Sequence, residues 1–208
     1  MKLRWLIPLT GILSAVLAIA SNFIPSQGSL PDQSAPGSAV LAFYAANTQS
    51  QRLSAVLLVF TFIFLLAFAA FLWSWLHATP GAAAFSFLAL VGACIVLVGQ
   101  ALSAGISFHL AATQATTSPD AAQALNVLQS ALFFIYGPGF FIFAVGNGLA
   151  ILSASLLPKW LGYIAILIGI VSITPLQGYG TIALVLWVLA VSFLGWRRLG
   201  REAIAPAA

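Results

Sequence analysis

Between Arg52 and Asp120 the chain carries no Asp, Glu, Lys or Arg, and the stretches from Asp120 to Lys159 and from Lys159 to Arg197 are equally bare. No other feature constrains the fold as much. A soluble domain devotes roughly a quarter of its residues to charge; this chain has 5%. Apolar residues make up 62% of it and come in runs of about 20, the length that crosses a hydrocarbon core about 30 Å thick. Inside hydrocarbon each backbone N–H and C=O must be satisfied by the chain itself, which for such runs means α-helices. The expected fold is therefore all-α, a polytopic transmembrane helix bundle forming a single transmembrane domain. Little chain is left for a soluble catalytic domain.

Six spans are predicted, over residues 5–24, 53–76, 82–110, 132–157, 160–176 and 178–196, with outside loops at 25–52 and 111–131. The first outside loop opens with a Pro-, Ser- and Gly-rich segment at 25–37, a composition that breaks regular structure. Ser38 then caps a helix that runs on through the second span as one rod to about His77. The second outside loop holds a stronger start signal in Ser118-Pro119-Asp120: Ser caps, Pro fills the first helical position and Asp faces the positive end of the dipole. A helix from there to Leu157 would be about 55 Å long, with Gly137-Pro138-Gly139 interrupting it. Each half thus reads as a span, an outside loop, an outside helix entering the next span, and a tight Pro turn (Thr79-Pro80-Gly81, then Leu157-Pro158-Lys159), a faint parallel repeat.

Basic residues near span ends favour the cytoplasm. In the six-span reading Lys2, Arg4, Lys159, Arg197, Arg198 and Arg201 share one side, and Arg52 falls opposite with Asp32 and Asp120. Trp5, Trp73, Trp75, Trp160 and Trp196 collect at that same basic boundary, where indole rings anchor in headgroups, while Trp187 lies deep. Both signals place the two termini in the cytoplasm. Two variants stay open. Lys2, Arg4 and Ala18-Ile19-Ala20 also fit a cleaved signal peptide, which would leave five spans. The last two segments, broken by Pro175 and Gly178–Gly180, also fit a re-entrant hairpin.

Chemistry is scarce. No ionisable Asp, Glu, Lys or Arg falls in a span core, which argues against carboxylate proton relays. His77 and His109 fall at opposite span ends, about 40 Å apart along the third helix, so they share no metal or haem, and Cys94 has no partner. Ser107 and His109 lie on different helix faces, and no Gly-x-Ser-x-Gly or phosphate loop occurs. The reading therefore assigns no catalytic residue, no metal and no cofactor, and no nucleic acid. Gly92, Gly99, Ser103 and Ser107 on the third span, and Gly162 and Gly169 on the fifth, form small-residue seams. They suit helix packing within the chain, a protein partner or a homo-oligomer, with the lipid bilayer as the surrounding partner. The best candidate for a ligand site is a polar set near mid-span: Gln100, Ser103, Tyr136, Asn147 and Trp187. Because a lone amide in hydrocarbon is costly, Gln100 and Asn147 are expected to bond to one another across adjacent helices.

Leu157-Pro158-Lys159-Trp160-Leu161-Gly162-Tyr163, with the long outer loop, the Ser-Pro-Asp helix start and the Arg-rich end, resembles small bacterial six-helix inner-membrane proteins whose function is not established. The resemblance extends over most of the chain. It implies a multi-pass protein of the inner (plasma) membrane and supplies no catalytic residue. On residues and resemblance together the expected role is a non-enzymatic accessory or interaction subunit. The alternative is a carrier or binding protein for a lipid or small hydrophobic molecule.

Overall fold

A computed structural model of the chain describes residues 6–204, with side chains as far as Gly200. Lys2, Arg4 and Trp5, and the side chain of Arg201, lie outside the described residues. The helices are α1 (Leu9–Asn22), α2 (Gly37–Ala46), α3 (Thr48–Leu76), α4 (Ala83–Thr113), α5 (Pro119–Ala131), α6 (Phe133–Ala154), α7 (Lys159–Ser172) and α8 (Gln177–Ile204). No strand occurs among the described residues. Four helical stretches are long and apolar enough to cross a membrane: Thr48–Leu76, Ala83–Thr113, Pro119–Ala154 and Gln177–Gly200. Helices α1 and α7 are apolar but shorter, at 14 residues each.

Two expected continuities differ in the structure. The rod from Ser38 to His77 is cut at Asn47, whose backbone (φ −121°, ψ 21°) leaves the helical region. The cause is its side chain. Nδ2 donates to the carbonyls of Phe43 and Gln27, and Oδ1 accepts from the Gln27 amide at 2.6 Å. Asparagine trades helical bonds for such local ones readily. Nor does Ser38 cap α2; the helix begins at Gly37 behind an extended Pro36. In the second rod the discontinuity falls at Leu132, whose N–H divides between the carbonyls of Leu128 and Gln129, while Pro138 stays inside α6. The carbonyl that Pro138 crowds is that of Phe134, four residues earlier and already inside α6, so the break at Leu132 lies outside the Gly-Pro-Gly triplet and its clash. That helix ends at Ala154, short of Leu157, because Ser155 turns left-handed (φ 53°). Ser118 does cap α5, its Oγ accepting from the Ala121 amide at 3.3 Å.

The helices close a ring in chain order: α1 packs on α3, α3 on α4, α4 on α6, α6 on α7, α7 on α8, and α8 back on α1. Its interior is filled by Phe62, Leu65, Phe68, Phe143, Trp187 and Val191. Helices α2 and α5 are left out of the ring and pack on each other over one end. They form a cap with its own small core of Val40, Tyr44, Leu110, Ala111 and Ala122. Gly37 sits directly on the backbone of Pro119, so the two cap helices start side by side. The element order of α1–α2–α3 thus matches that of α4–α5–α6.

Glycines set how closely the ring closes. A Cβ on Gly146 would lie 2.8 Å from the Ala89 amide and 2.9 Å from the Phe85 carbonyl of α4. Gly92 and Gly99 face α6 in return, against Phe143 and Tyr136. Gly148 and Gly162 meet each other's carbonyls between α6 and α7, and Gly169 faces Val145 and Phe141. The seam residues read from the sequence are therefore spent inside the chain. At the end opposite the cap, Lys159 opens α7 while Arg197 and Arg198 lie in the C-terminal part of α8. Arg198 Nη1 donates to the carbonyl of Leu156. Asp32, Arg52 and Asp120 belong to the capped end, so the described charges segregate by end as the sequence implied.

Candidate functional site

The five polar residues singled out near mid-span divide into two places. Asn147 lies between Gly146, which faces α4, and Gly148, which faces α7, so it points toward the ring's interior. It is 1% exposed. Its Nδ2 donates to the Phe143 carbonyl one turn back in its own helix, and Oδ1 is buried with no partner. Trp187 is close by, edge-on to Phe143 at 6.3 Å, with its indole N–H donated to the Leu161 carbonyl at 2.9 Å. That bond ties α8 to α7 and leaves the indole no free donor.

Gln100 does not reach Asn147, which corrects the expectation that the two bond across helices. Its neighbour Gly99 faces Tyr136, and eleven residues of helix separate Tyr136 from Asn147, a rise of about 16 Å. The amides share a bundle and not a level, and one-dimensional spacing on separate spans gave no depth to compare. Tyr136 is half-buried between Phe133 and Phe140, edge-on to both at 5.9 and 6.2 Å.

Ser103 belongs to another group, where α4 meets the cap. Gln129 of α5 donates from Nε2 to Ser107 Oγ at 2.8 Å and to Ser103 Oγ at 3.3 Å. The Tyr44 hydroxyl stands 3.4 Å from both Ser107 Oγ and Gln129 Oε1. Tyr44 is fully enclosed, and that burial pushes its phenol pKa up, with the Ser107 hydrogen bond pulling the other way. It remains a neutral phenol at neutral pH and acts as a hydrogen-bonding post, not a base. Nearby, Gln114 donates to Thr48 Oγ1 while its own Oε1 is buried without a partner. Asn126, 3% exposed, donates to the Asp32 carbonyl at 2.7 Å and fastens the first loop to α5. Tyr44, Asn47, Asn126 and Gln129 were not singled out in the sequence. The available signal was the pair Asn126 and Gln129, three apart on α5, together with the Ser103–Ser107 stripe on α4 that Gln129 meets.

One open groove adjoins this end. Val98, Ala101, Leu102, Gly105, Ile106 and His109 of α4, with Leu125 of α5, line about 520 Å³ on the outward side of α4. A second, narrower cavity of about 50 Å³ lies inside the ring beside Ser14, Thr61 and Phe140. His109 Nε2 is 3.4 Å from Thr113 Oγ1, one turn along its own helix, and His77 stacks on Trp73 at 5.0 Å at the other end of the bundle. Among the described residues no three His, Cys, Asp or Glu side chains gather as a metal site. The polar groups present donate and accept hydrogen bonds around an apolar interior, an arrangement suited to holding helices and hydrophobic molecules.

No family model, curated protein or solved structure matches this chain.

Proposed function

We propose that the protein is a six-span integral membrane protein of a bacterial inner (plasma) membrane, with both termini cytoplasmic and the α2–α5 cap outside. In this reading α1 and α7 are the two shorter spans beside the four long ones. The distribution of Lys2, Arg4, Lys159, Arg197, Arg198 and Arg201 against Arg52 supports that orientation through the positive-inside rule. Trp73, Trp75, Trp160 and Trp196 sit at the basic end as an interfacial belt. The resemblance carried by 157–163 points to the same membrane. Cysteines at Ser38 and Ser153, both exposed, test the topology: only the first should react with an impermeant maleimide added to intact cells. Labelling of Ser153→Cys instead would invert it.

Its role in this proposal is that of a non-enzymatic accessory or interaction subunit. The observation that carries this is the cap, two short helices that add nothing to the ring. They are nevertheless fastened: Gln129 of α5 bonds to Ser103 and Ser107 of α4, and the buried amides of Asn47 and Asn126 tie the preceding loop to the cap. A rigid outside platform without reactive groups suits holding a partner. After mild solubilisation the protein should migrate in a complex larger than its own 21.8 kDa. Ala42→Trp and Ala124→Trp, on exposed cap positions, should release the monomer without lowering its melting temperature. A monomeric wild type sinks the reading.

The groove on α4 favours a second role, binding of a lipid or small hydrophobic molecule. Its volume falls in the range of ligand sites, and its walls are almost wholly apolar.

A further inference from the structure

Of the α4 glycines, Gly92 and Gly99 seat α6. Gly105, between them and the cap, has nothing within 4 Å of where its Cβ would stand. Glycine is among the poorest helix residues, so a bare glycine in mid-helix weakens α4 with no packing inside the chain to offset it. It opens a notch instead, at the centre of the apolar groove lined by Val98, Leu102, Ile106 and Leu125.

Resting on the second reading above, we propose that this groove holds one acyl chain of an outer-leaflet anionic phospholipid. From Val98 to His109 the groove follows eleven residues of helix, about 16 Å, close to half the roughly 30 Å hydrocarbon core and therefore one leaflet deep. Its deep end is wholly apolar. Its upper end is polar, with His109 beside the Thr113 hydroxyl. Arg52, the one Lys or Arg among the described residues at the capped end, lies over the ring of the neighbouring Phe108 at 5.7 Å. A guanidinium and an imidazole at headgroup level above a chain-length slot match a phosphate followed by a tail. Helix α5, through Leu125, walls the slot on the side of the cap.

The test is native mass spectrometry of the full chain released from membranes in mild detergent, with lipid identification of each adduct. Wild type should retain about one phospholipid per chain. Gly105→Phe, whose ring fills space that no protein atom occupies, should lose it at least tenfold while melting no lower than wild type. Gly105→Ala is too small to fill the slot and should keep the adduct. Arg52→Gln should cut retention of phosphatidylglycerol several-fold relative to phosphatidylcholine in nanodiscs containing both. An unchanged adduct in Gly105→Phe overturns the site. A dimer in place of a lipid adduct, dissociated by Gly105→Phe, makes the groove a helix–helix contact and overturns the lipid. A neutral isoprenoid held by wild type and lost in Gly105→Phe keeps the broader hydrophobic-ligand reading and removes the phospholipid. If wild type retains nothing, both fall.

Discussion

The ring and the cap are built from the same chain by opposite means. In the ring most polar side chains bond within their own helix, as Thr61 does to Leu57, Asn147 to Phe143 and Ser172 to Ile168, each four residues back. Contact between ring helices comes mainly from glycine seams and interdigitated aromatics, with bonds such as Ser14 to the Thr61 carbonyl and Trp187 to that of Leu161 added to them. In the cap the polar side chains reach across the fold, Asn47 over 20 residues to Gln27, Gln114 over 66 to Thr48 and Asn126 over 94 to Asp32. Its apolar cluster is small. In the membrane reading, a region that hydrocarbon surrounds gains little from apolar burial and relies on close approach. One with a small core relies on directional bonds to fix its position.

The contrast is open to direct attack. The largest effect is expected in the ring from Gly146→Leu, whose side chain would collide with the α4 backbone at Ala89 and Phe85. Because backbone cannot yield as a side chain does, it should destabilise by about 3 kcal/mol or more, read as lost folded protein in a detergent melt. A wild-type melt would mean that the seam is not close-packed. In the cap, Asn47→Ala removes three hydrogen bonds and should cost about 2 kcal/mol locally. Hydrogen exchange should rise around Gln27 and at the start of α3 and stay unchanged in α6. Exchange rising equally in both regions would show that cap and ring unfold as one unit, which erases the distinction.

Asn147→Leu tests the claim that ring amides contribute little to contact between helices. Removing a buried oxygen that has no partner and substituting an apolar group of similar size should change stability by less than about 1 kcal/mol, toward neutral or stabilising. A loss well beyond that would reveal a bond at Oδ1 that the contrast does not allow for. The smallest effect belongs to the loop under the cap. Asp32 accepts from the hydroxyl and the amide of Ser34, and these bonds hold its pKa below the ordinary carboxylate range. A group held down in the folded state adds stability above its unfolded pKa and loses it as pH falls through the folded one. The turn at Asp32 should therefore loosen only below about pH 4, and Asp32→Asn should abolish that pH dependence in the Ser34 amide resonance. An unchanged profile in the variant would assign the transition to another group.

The helices were legible in the sequence because charge-free runs bounded by Lys159, Arg197 and the Pro turns leave few alternatives, and Ser118-Pro119-Asp120 gave the start of α5 to the residue. Their neighbours were not legible. Helices such as α3, α4 and α6 are apolar on every side, so no polar face tells which side is buried. That is why the partners of Gln100 and Asn147 could not be read from spacing. The break at Asn47 was hidden for another reason. Its cause is a bond to Gln27, on a loop whose path the sequence does not reveal. Ser103 was found and its partner Gln129, with Tyr44 beyond it, was not, because a hydrogen-bond network spanning three helices has no signature in any one of them.

The heights of the ring's helices are unequal, and this bears on how a bilayer could fit around them. Helices α1 and α7 flank α8 on one side and rise about 21 Å each, against about 46 Å for α4 on the other. A hydrocarbon layer about 30 Å thick overtops the low wall and is overtopped by the high one. The surrounding lipids would have to compress along α1 and α7, on either side of the long α8, or the whole bundle lean toward that side, at a fraction of a kcal/mol for each ångström of mismatch. In the six-span reading, membrane thickness then acts on the two walls in opposite senses, a thinner bilayer suiting the short α1 and α7 and a thicker one the tall α4.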